Sequence, residues 1–484
     1  MRPALGASSP FFLKTPSAIA ATDHTCARPH FRPRRRRDTL PEIHLPQTIG
    51  APLIGRPRVG PLVVPGSDRQ PRVIVALHEG FYGASSGSGF SNRAFLTALT
   101  RLLPPGRLTV VPAHIPAGHP GHDRQWAAQV HRMLDAAGAE ILPIPNGHAL
   151  TDSVRGSENL CGLVGEESDP IAARSDRCLL IGLDVPFLGL APYTPKGVDL
   201  LLVPRSTAAL AHPEDKERIR WERAGLASAA NRGSRIGAIS RHMNEHLKLT
   251  YKVPATAIVD LPNGLLLQEE PHHPAAILPL PLRARGGFLF ALGRPVPEKG
   301  FQDLLYALQI LRDQHVRVPH LVLAATTPGQ RENRDQAHLA STIGELGLDA
   351  TLLTHFSPAI RSWLHSPALR AVVVPSRKEP FGRIPLEAFA AQAGPVVATR
   401  TGGLLQTVLE GQTGFSAAPG DPTSLAAAIQ RALTVMPRDR IRLVRAGTAL
   451  LTQRHDYLAT IGSLLAEQAP WALVPAPATI GGPR

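Results

Sequence analysis

Short apolar runs recur along the chain from Arg72 onward, and between them apolar residues return at helical spacing. VIVALHEG reads as a first buried strand, FYGASSGSGFSNR as a glycine- and serine-rich loop, and AFLTALTRLL as an apolar-periodic helix. GRLTVVPAH predicts a second strand, the Trp126 to Gly138 region a helix, and AEILPIP an extended stretch. RCLLIGLDV and VDLLLVP are two more strands. RIGAISRHM runs from strand into helix, and AIVDLPNG ends the series in a turn. Residues 147–175 show no clear period and many turn formers, which predicts an irregular insertion. Strands alternating with helices predict a parallel sheet covered on both faces.

A second series begins at GFLFALG. Phe301, Leu304, Leu305, Leu308 and Leu311 make one apolar stripe at helical spacing. HLVLAATT, ATLLTHF, LRAVVVP and GPVVAT supply further strands, and Arg438 to Gln468 reads as a terminal helix long enough to cross back to the first domain. The stretch Gln268 to Arg285 mixes prolines and charges without a period and predicts a hinge. The expected organisation is a tail over 1–71, an α/β domain over 72–275, a second over 276–440, and a helix crossing back with a tail over 441–484. Two Rossmann-like domains facing each other across a cleft is the fold class.

A length of 484 residues fits two domains, and 43% hydrophobic with 19% charged residues describes a soluble globular protein. The formal net charge of +14 invites a nucleic-acid or anionic-membrane reading. Residues 1–72 hold 12 lysines and arginines against 4 acidic residues, so most of the excess lies in the tail. With 12 prolines in the same stretch, a disordered basic leader is the expectation. Arg34 to Arg37 lack interleaved aromatics, and no nucleic-acid motif follows them. Cys26, Cys161 and Cys178 are too few for a disulfide framework or zinc site, which points to a reducing cytoplasm. Neither a spanning apolar run nor a secretory h-region is expected.

The chemistry concentrates in AVVVPSRKEPFGRIPLEAFA. Pro385 is comfortable only in the first turn of a helix, so the helix should start near Arg383 to Pro385. Glu379 then lies in the loop after the strand, and Glu387 lies in or just past the first helical turn. Open parallel sheets bind ligands at this crevice, where a helix N-terminus offers free N–H groups to an anion. Two carboxylates beside an anion site suit a ligand with hydroxyls at one end and phosphates at the other, as in a nucleotide sugar. ALGRPVPEKGFQDLL places Arg294 and Lys299 just beyond another strand end, where they would neutralise a diphosphate.

GRPVPEKG, then E-P-F-G-R-I-P-L-E, then TRTGG and EGQTGFSAAPGD is an ordered set that resembles the retaining family-4 glycosyltransferases of GT-B fold. FYGASSGSGFSNR stands where that family has its first glycine-rich loop, and AISRHMNEHLKLTYKVPATAIVDLPNGLLL looks like its stretch ending in Pro-Asn-Gly. The likeness covers most of residues 73–435. It implies that Arg294 and Lys299 hold a donor diphosphate, that Glu387 meets ribose hydroxyls, and that Glu379 meets sugar hydroxyls. Backbone N–H groups of Phe381, Gly382, Arg383 and Ile384 would lie near the sugar and phosphates. Gly87 and Gly89 would let the first-domain backbone approach the leaving phosphate. The family retains anomeric configuration by front-face attack, in which positioning and electrostatics outweigh a dedicated base. The chain has no Asp-x-Asp, so a metal-independent reaction without a cofactor is expected. The partners implied are a nucleotide sugar and a small-molecule, lipid or glycan acceptor, with no nucleic acid and with peripheral contact to an anionic membrane left open, as is the oligomeric state.

The first domain departs from that pattern. Where relatives often carry a histidine, VDLLLVPRST offers Arg205 or Ser206, with His212 several residues on. Asp184, after CLLIGLD, is nominated as a polar wall of the acceptor site, and His78 and Glu79 are further candidates. AFAAQAGPVV is one residue longer than usual, and Gln406 replaces a common acidic residue. Three alternatives stay open: an epimerase or phosphorylase on the same architecture, a nucleotide-sugar-binding relative without transfer, and nucleic-acid binding by the tail.

Overall fold

Each apolar run becomes a strand because both faces of a parallel sheet are covered and leave no polar face. The computed structural model describes residues 69–84, 86–267, 279–327 and 333–473. The first sheet contains β1 (Arg72–Leu77), β2 (Leu108–Pro112), β3 (Glu140–Ile141), β4 (Cys178–Leu183), β5 (Asp199–Val203), β6 (Arg235–Ala238) and β7 (Ile258–Asp260). Its order is β3-β2-β1-β4-β5-β6-β7, parallel throughout. The second sheet contains β8 (Phe288–Gly293), β9 (His320–Thr327), β10 (Ala350–His355), β11 (Leu369–Val374), β12 (Val396–Thr399) and β13 (Gly414–Ala417). Its order is β10-β9-β8-β11-β12-β13, also parallel. The central strands β1 and β8 each have neighbours on both sides and lie in the core.

Helices cover the sheets. Around the first lie α1 (Gly87–Leu102), α2 (Arg124–Ala136), α3 (Val154–Ala173), α4 (Ala208–Ala211), α5 (Lys216–Asn231) and α6 (Arg241–Leu249). With the second come α7 (Phe301–Asp313), α8 (Arg334–Glu345), α9 (Arg383–Ala390), α10 (Leu404–Thr407) and α11 (Pro422–Thr434), followed by α12 (Pro437–Arg454) and α13 (Tyr457–Gln468). The expected stripe of α7 is buried at every position from Phe301 to Leu311.

Three expectations are corrected. Residues 147–175 are no irregular insertion: a 3-10 turn, Gly147–Asp152, leads into the twenty-residue α3. Ser153 caps it, its Oγ accepting from Gly156 N–H at 3.0 Å. Its buried face runs through Gly156, Ser157, Leu160, Cys161, Val164, Gly165, Ser168 and Ile171, so residues that resemble turn formers are small packing residues. Second, the helix after β1 starts at Gly87, inside the stretch expected to be loop, because Ser86 caps it. Third, the terminal helix is two helices, α12 and α13, separated at His455 and Asp456. α12 packs on α9, and α13 packs on α1 of the first domain. Of the expected tail only residues 69–71 are described, and of the expected hinge residues 268–278 lie outside the described residues; Leu282–Gly286 is a 3-10 turn.

The two sheets face one cleft with their carboxyl ends. Residues just past β1, β5, β6 and β7 line one side, including Ser86, Arg205, Ile239 and Asn263; residues past β8, β10 and β11 line the other, including Arg294, Phe356 and Glu379. Such crevices bind ligands in open α/β sheets because loops and helix N-termini converge there.

Candidate active site

The cleft has a volume of about 490 Å³, enough for a nucleotide-sized ligand. Six lysines and arginines line it against three glutamates, so its charge balance favours an anion. Arg294, Lys299, Glu379, Phe381, Gly382, Arg383, Ile384 and Glu387, nominated from sequence, all line it, as does Gly87. Gly89 and Asp184 are absent from its lining. Gly89 packs in α1 against Ala84 and Glu79 instead of presenting backbone to the cleft.

Glu379 follows β11 in a loop that cannot move freely. Its carbonyl accepts from Gly403 N–H at 3.0 Å, and its Oε2 lies 2.5 Å from Lys299 Nζ. Lys299 comes from the loop after β8, so two strand ends present one ion pair to the cleft. Arg294 is exposed at the same strand end. Gly382 caps α9 with φ 88, a left-handed conformation that glycine adopts without strain, and a Cβ there would meet Leu404 Cδ2 at 2.5 Å. The turn sets the N-terminus of α9, at Arg383 and Ile384, in the cleft lining.

Glu387 sits one turn into α9 between two guanidiniums. Arg361 Nε lies 2.8 Å from Oε2, and Arg383 Nε lies 3.5 Å from Oε1. Burial pushes this carboxyl upward, but Arg361 and Arg383 outweigh it and hold it below the usual carboxylate range. Both arginines reach the first domain. The Arg361 guanidinium lies 4.2 Å over the Phe90 ring, and Arg383 Nη1 donates to Ser91 Oγ at 3.0 Å and Gly264 O at 3.3 Å. Ser240 Oγ donates across to Pro380 O at 2.8 Å, and Gln406 Oε1 accepts from Arg241 N–H at 3.2 Å. Gln406 therefore serves the domain contact.

The first-domain candidates divide. Arg205, Ser206 and His212 line the cleft. Arg205 is only 4% exposed; its Nε donates to Asn92 Oδ1 at 3.0 Å and Nη1 to Asn263 Oδ1 at 3.4 Å, beside the Phe95 and Tyr457 rings. Asp184 follows β4 at φ 81, and its Oδ1 accepts from Val185 N–H at 2.8 Å. Burial, then Glu79, raise its pKa against the pull of Val185 N–H, Arg205 and Ser88. Glu79 accepts from Ser86 Oγ.

Two networks lie outside the cleft lining, and His78, a candidate from sequence, belongs to the first. His78 Nε2 lies 2.7 Å from His148 Nδ1, and His148 Nε2 lies 3.0 Å from His119 Nε2. Gly121 N–H donates to His119 Nδ1 at 3.0 Å, so His119 carries its proton on Nε2. That proton faces His148 Nε2, which leaves the His148 proton on Nδ1, donating to His78 Nε2. One backbone N–H thus sets three tautomers. Burial lowers His78 to about 4, and burial with His119 lowers His148. In the second network Glu222, fully buried, accepts from Ala208 N–H at 2.9 Å and from Tyr251 OH, anchoring the segment 205–212. Burial pushes its carboxyl up to about 7. His119, His148 and Glu222 were not nominated from sequence, since their partners lie far off in it.

Among the described residues no His, Cys, Asp and Glu group could hold a metal ion, and no helix is long and apolar enough to cross a membrane.

The fold is GT-B, two Rossmann-like domains across a cleft. HepE of Anabaena, in complex with UDP-glucose, is similar at a TM-score of 0.58 and 18% identity over 82% of this chain and 98% of that one. Sucrose-phosphate synthase from Thermosynechococcus elongatus is similar at a TM-score of 0.64 and 20% identity, over 82% and 99%. Residues 280–447 match the family described as Glycosyl transferases group 1. Within the curated relatives, a Mycobacterium tuberculosis glycogen synthase is 37% identical over 175 residues, 35% of this chain and 39% of its own. A D-inositol 3-phosphate glycosyltransferase of an Arthrobacter species is 38% identical over 130 residues, 26% of this chain and 29% of its own. The matches span about two fifths or less of these relatives' length.

Proposed function

We propose that the protein is a glycosyltransferase that moves a sugar from a nucleoside-diphosphate donor to an acceptor, with retention of anomeric configuration and without a metal ion. The observation that carries the reading is the convergence of Lys299, Glu379 and Glu387 with the N-terminus of α9 on one cleft wall, inside the segment that matches Glycosyl transferases group 1. Glycosyl transfer passes through an oxocarbenium-like state while negative charge grows on the leaving diphosphate. Arg294 and Lys299, with the α9 N-terminus, would stabilise that charge most when it is largest. Glu387 would accept from ribose hydroxyls and Glu379 from sugar hydroxyls. Neither is assigned a proton-transfer role, since both already hold cations. The leaving phosphate oxygen would take the acceptor proton as the new glycosidic bond forms on the same face. The protein would act in the cytoplasm, where such donors are made.

A panel of nucleotide sugars tests this by thermal stabilisation, where a ligand at 100 times its Kd adds about 2.7 kcal/mol. Stabilisation by one donor, followed by sugar transfer or slow donor hydrolysis, supports the reading. Failure of every donor to shift the transition overturns it. A nucleotide-sugar-binding relative without transfer is a second reading, favoured by the engagement of Arg205 with Asn92 and Asn263. It predicts stabilisation with no turnover.

A further inference from the structure

We propose that Arg377 is a positioning residue that, through Asp303, holds Lys299 and Glu379 in register as one donor-binding pair. The inference rests on the donor site described above, and neither Arg377 nor Asp303 lines the cleft.

Lysine is a poor choice for a fixed contact, because its stem rotates freely and its charge has no preferred direction. Here Lys299 meets Glu379 at 2.5 Å, although the two lie on loops from different strands, β8 and β11. What fixes their separation lies behind them. Arg377 Nε donates to Asp303 Oδ2 at 2.7 Å and Nη2 to Asp303 Oδ1 at 2.6 Å, a bidentate pair whose planar geometry sets orientation as well as distance. The Asp303 side chain is 6% exposed in the first turn of α7, and that of Arg377 is 47% exposed.

The backbones are interlocked at the same place. Arg377 N–H donates to Glu298 O at 2.7 Å, and Lys378 N–H reaches the same oxygen at 3.3 Å. Gly300 turns at φ 64, and a Cβ there would lie 2.0 Å from Pro375 O. Residues 298 and 300 of one loop, with 303 in the first turn of α7, thus close on 375, 377 and 378 of the other. Lys299 and Glu379 line the cleft directly beside these contacts, as Glu298 and Lys378 do. Thr401 Oγ1 donates to Arg377 O at 3.1 Å and ties the third loop to the same point. A clamp serving stability alone would not need to bracket both members of the cleft pair.

Four variants test this: Arg377→Ala, Asp303→Asn, the double variant, and Arg431→Ala. Arg431 is a control, since it pairs with Glu410 at 2.5 Å and is absent from the cleft lining. Calorimetric titration with UDP, ADP and GDP reads affinity, and 13C spectra of dimethylated lysines read Lys299, assigned with Lys299→Arg. For the nucleotide bound by the wild type, Arg377→Ala and Asp303→Asn should each raise Kd about tenfold, or about 1.4 kcal/mol. The double variant should be no worse than either, and added guanidinium ion should rescue Arg377→Ala but not Asp303→Asn. The Lys299 resonance should shift in the same variants. Arg431→Ala should lower Tm comparably with Kd unchanged. Loss of Tm in Arg377→Ala with Kd and the Lys299 resonance unmoved overturns the inference, as does additivity in the double variant. If the wild type binds none of the three nucleotides, the donor-site reading fails, while the Lys299 resonance still decides whether the clamp holds the pair.

Discussion

Arg383 and Ser91 are bonded across the cleft, Nη1 to Oγ at 3.0 Å, from opposite domains. Glu387, the carboxylate proposed for the ribose, therefore also holds the arginine that bridges the domains. Replacing Ser91 by Ala removes a hydrogen bond to a charged group, a loss of about 1.5–3 kcal/mol. The expected outcome is a larger radius of gyration in solution scattering with little change in the circular dichroism of either domain. An unchanged radius would show that the bridge does not set the domain separation.

Glu387→Gln should weaken binding of the nucleotide sugar roughly tenfold or more, since an amide keeps the shape but accepts less strongly from hydroxyls. The same change leaves Arg361 and Arg383 without their counter-charge, and breaking a buried pair costs about 3–5 kcal/mol. Affinity and unfolding must therefore be measured on the same samples. The depressed carboxyl adds stability that is present above its ordinary pKa and is lost as pH falls through the lower folded value. Equal donor affinity in a folded Glu387→Gln would refute the ribose role.

Glu222 has the opposite sign. Its folded pKa, about 7, exceeds the ordinary 4.5, so the ionised form is disfavoured and stability declines as pH rises between those values. The shift corresponds to about 3 kcal/mol. Glu222→Gln should flatten that decline in urea titrations from pH 5 to about pH 8. A variant whose stability follows pH as steeply as the wild type would place the titration elsewhere.

His78 and His148 respond to acid. His78, lowered to about 4, is disfavoured as a cation, so its contribution is full above 6.5 and is lost as pH falls toward 4. His119→Ala should remove the donor that sets the His148 tautomer and raise the pKa of both remaining imidazoles, which 15N spectra of the ring nitrogens would report. Unchanged ring shifts would mean that the chain from Gly121 N–H does not govern the protonation.

Chelator treatment should leave sugar transfer intact, as the missing Asp-x-Asp implies. Activity abolished by chelator and restored by magnesium or manganese would contradict the metal-independent mechanism.

The strands were legible because buried parallel strands are uninterrupted apolar runs, and the α9 wall of the cleft was legible because its residues lie close together in sequence. Glu379, Gly382 and Glu387 span nine positions, and Pro385 marks the helix start. The first domain was harder for a physical reason. Its cleft wall is assembled from ends of separate strands, so Arg205 meets Asn92 and Asn263 at sequence distances of 113 and 58. α3 hid its nature because Gly156, Gly165 and Ser168 pack tightly in a helix and read as turn formers without that packing. Asp184 and Gly89 were drawn into the site by proximity to strand ends and glycine-rich sequence, and three-dimensional placement removed them from the cleft lining.

The break at His455 and Asp456 has a consequence for synthesis. Tyr457 N–H donates to Leu265 O and Leu265 N–H to His455 O, both at 3.0 Å, and Tyr457 is fully buried facing Phe95 of α1. The segment that seals the first domain is thus translated after the whole of the second. A nascent chain paused anywhere before Tyr457 presents an open flank on α1, and the earliest-made domain is the last to close. Ribosome arrest, truncation or a late frameshift would therefore harm the amino-terminal half as well as the carboxyl-terminal one.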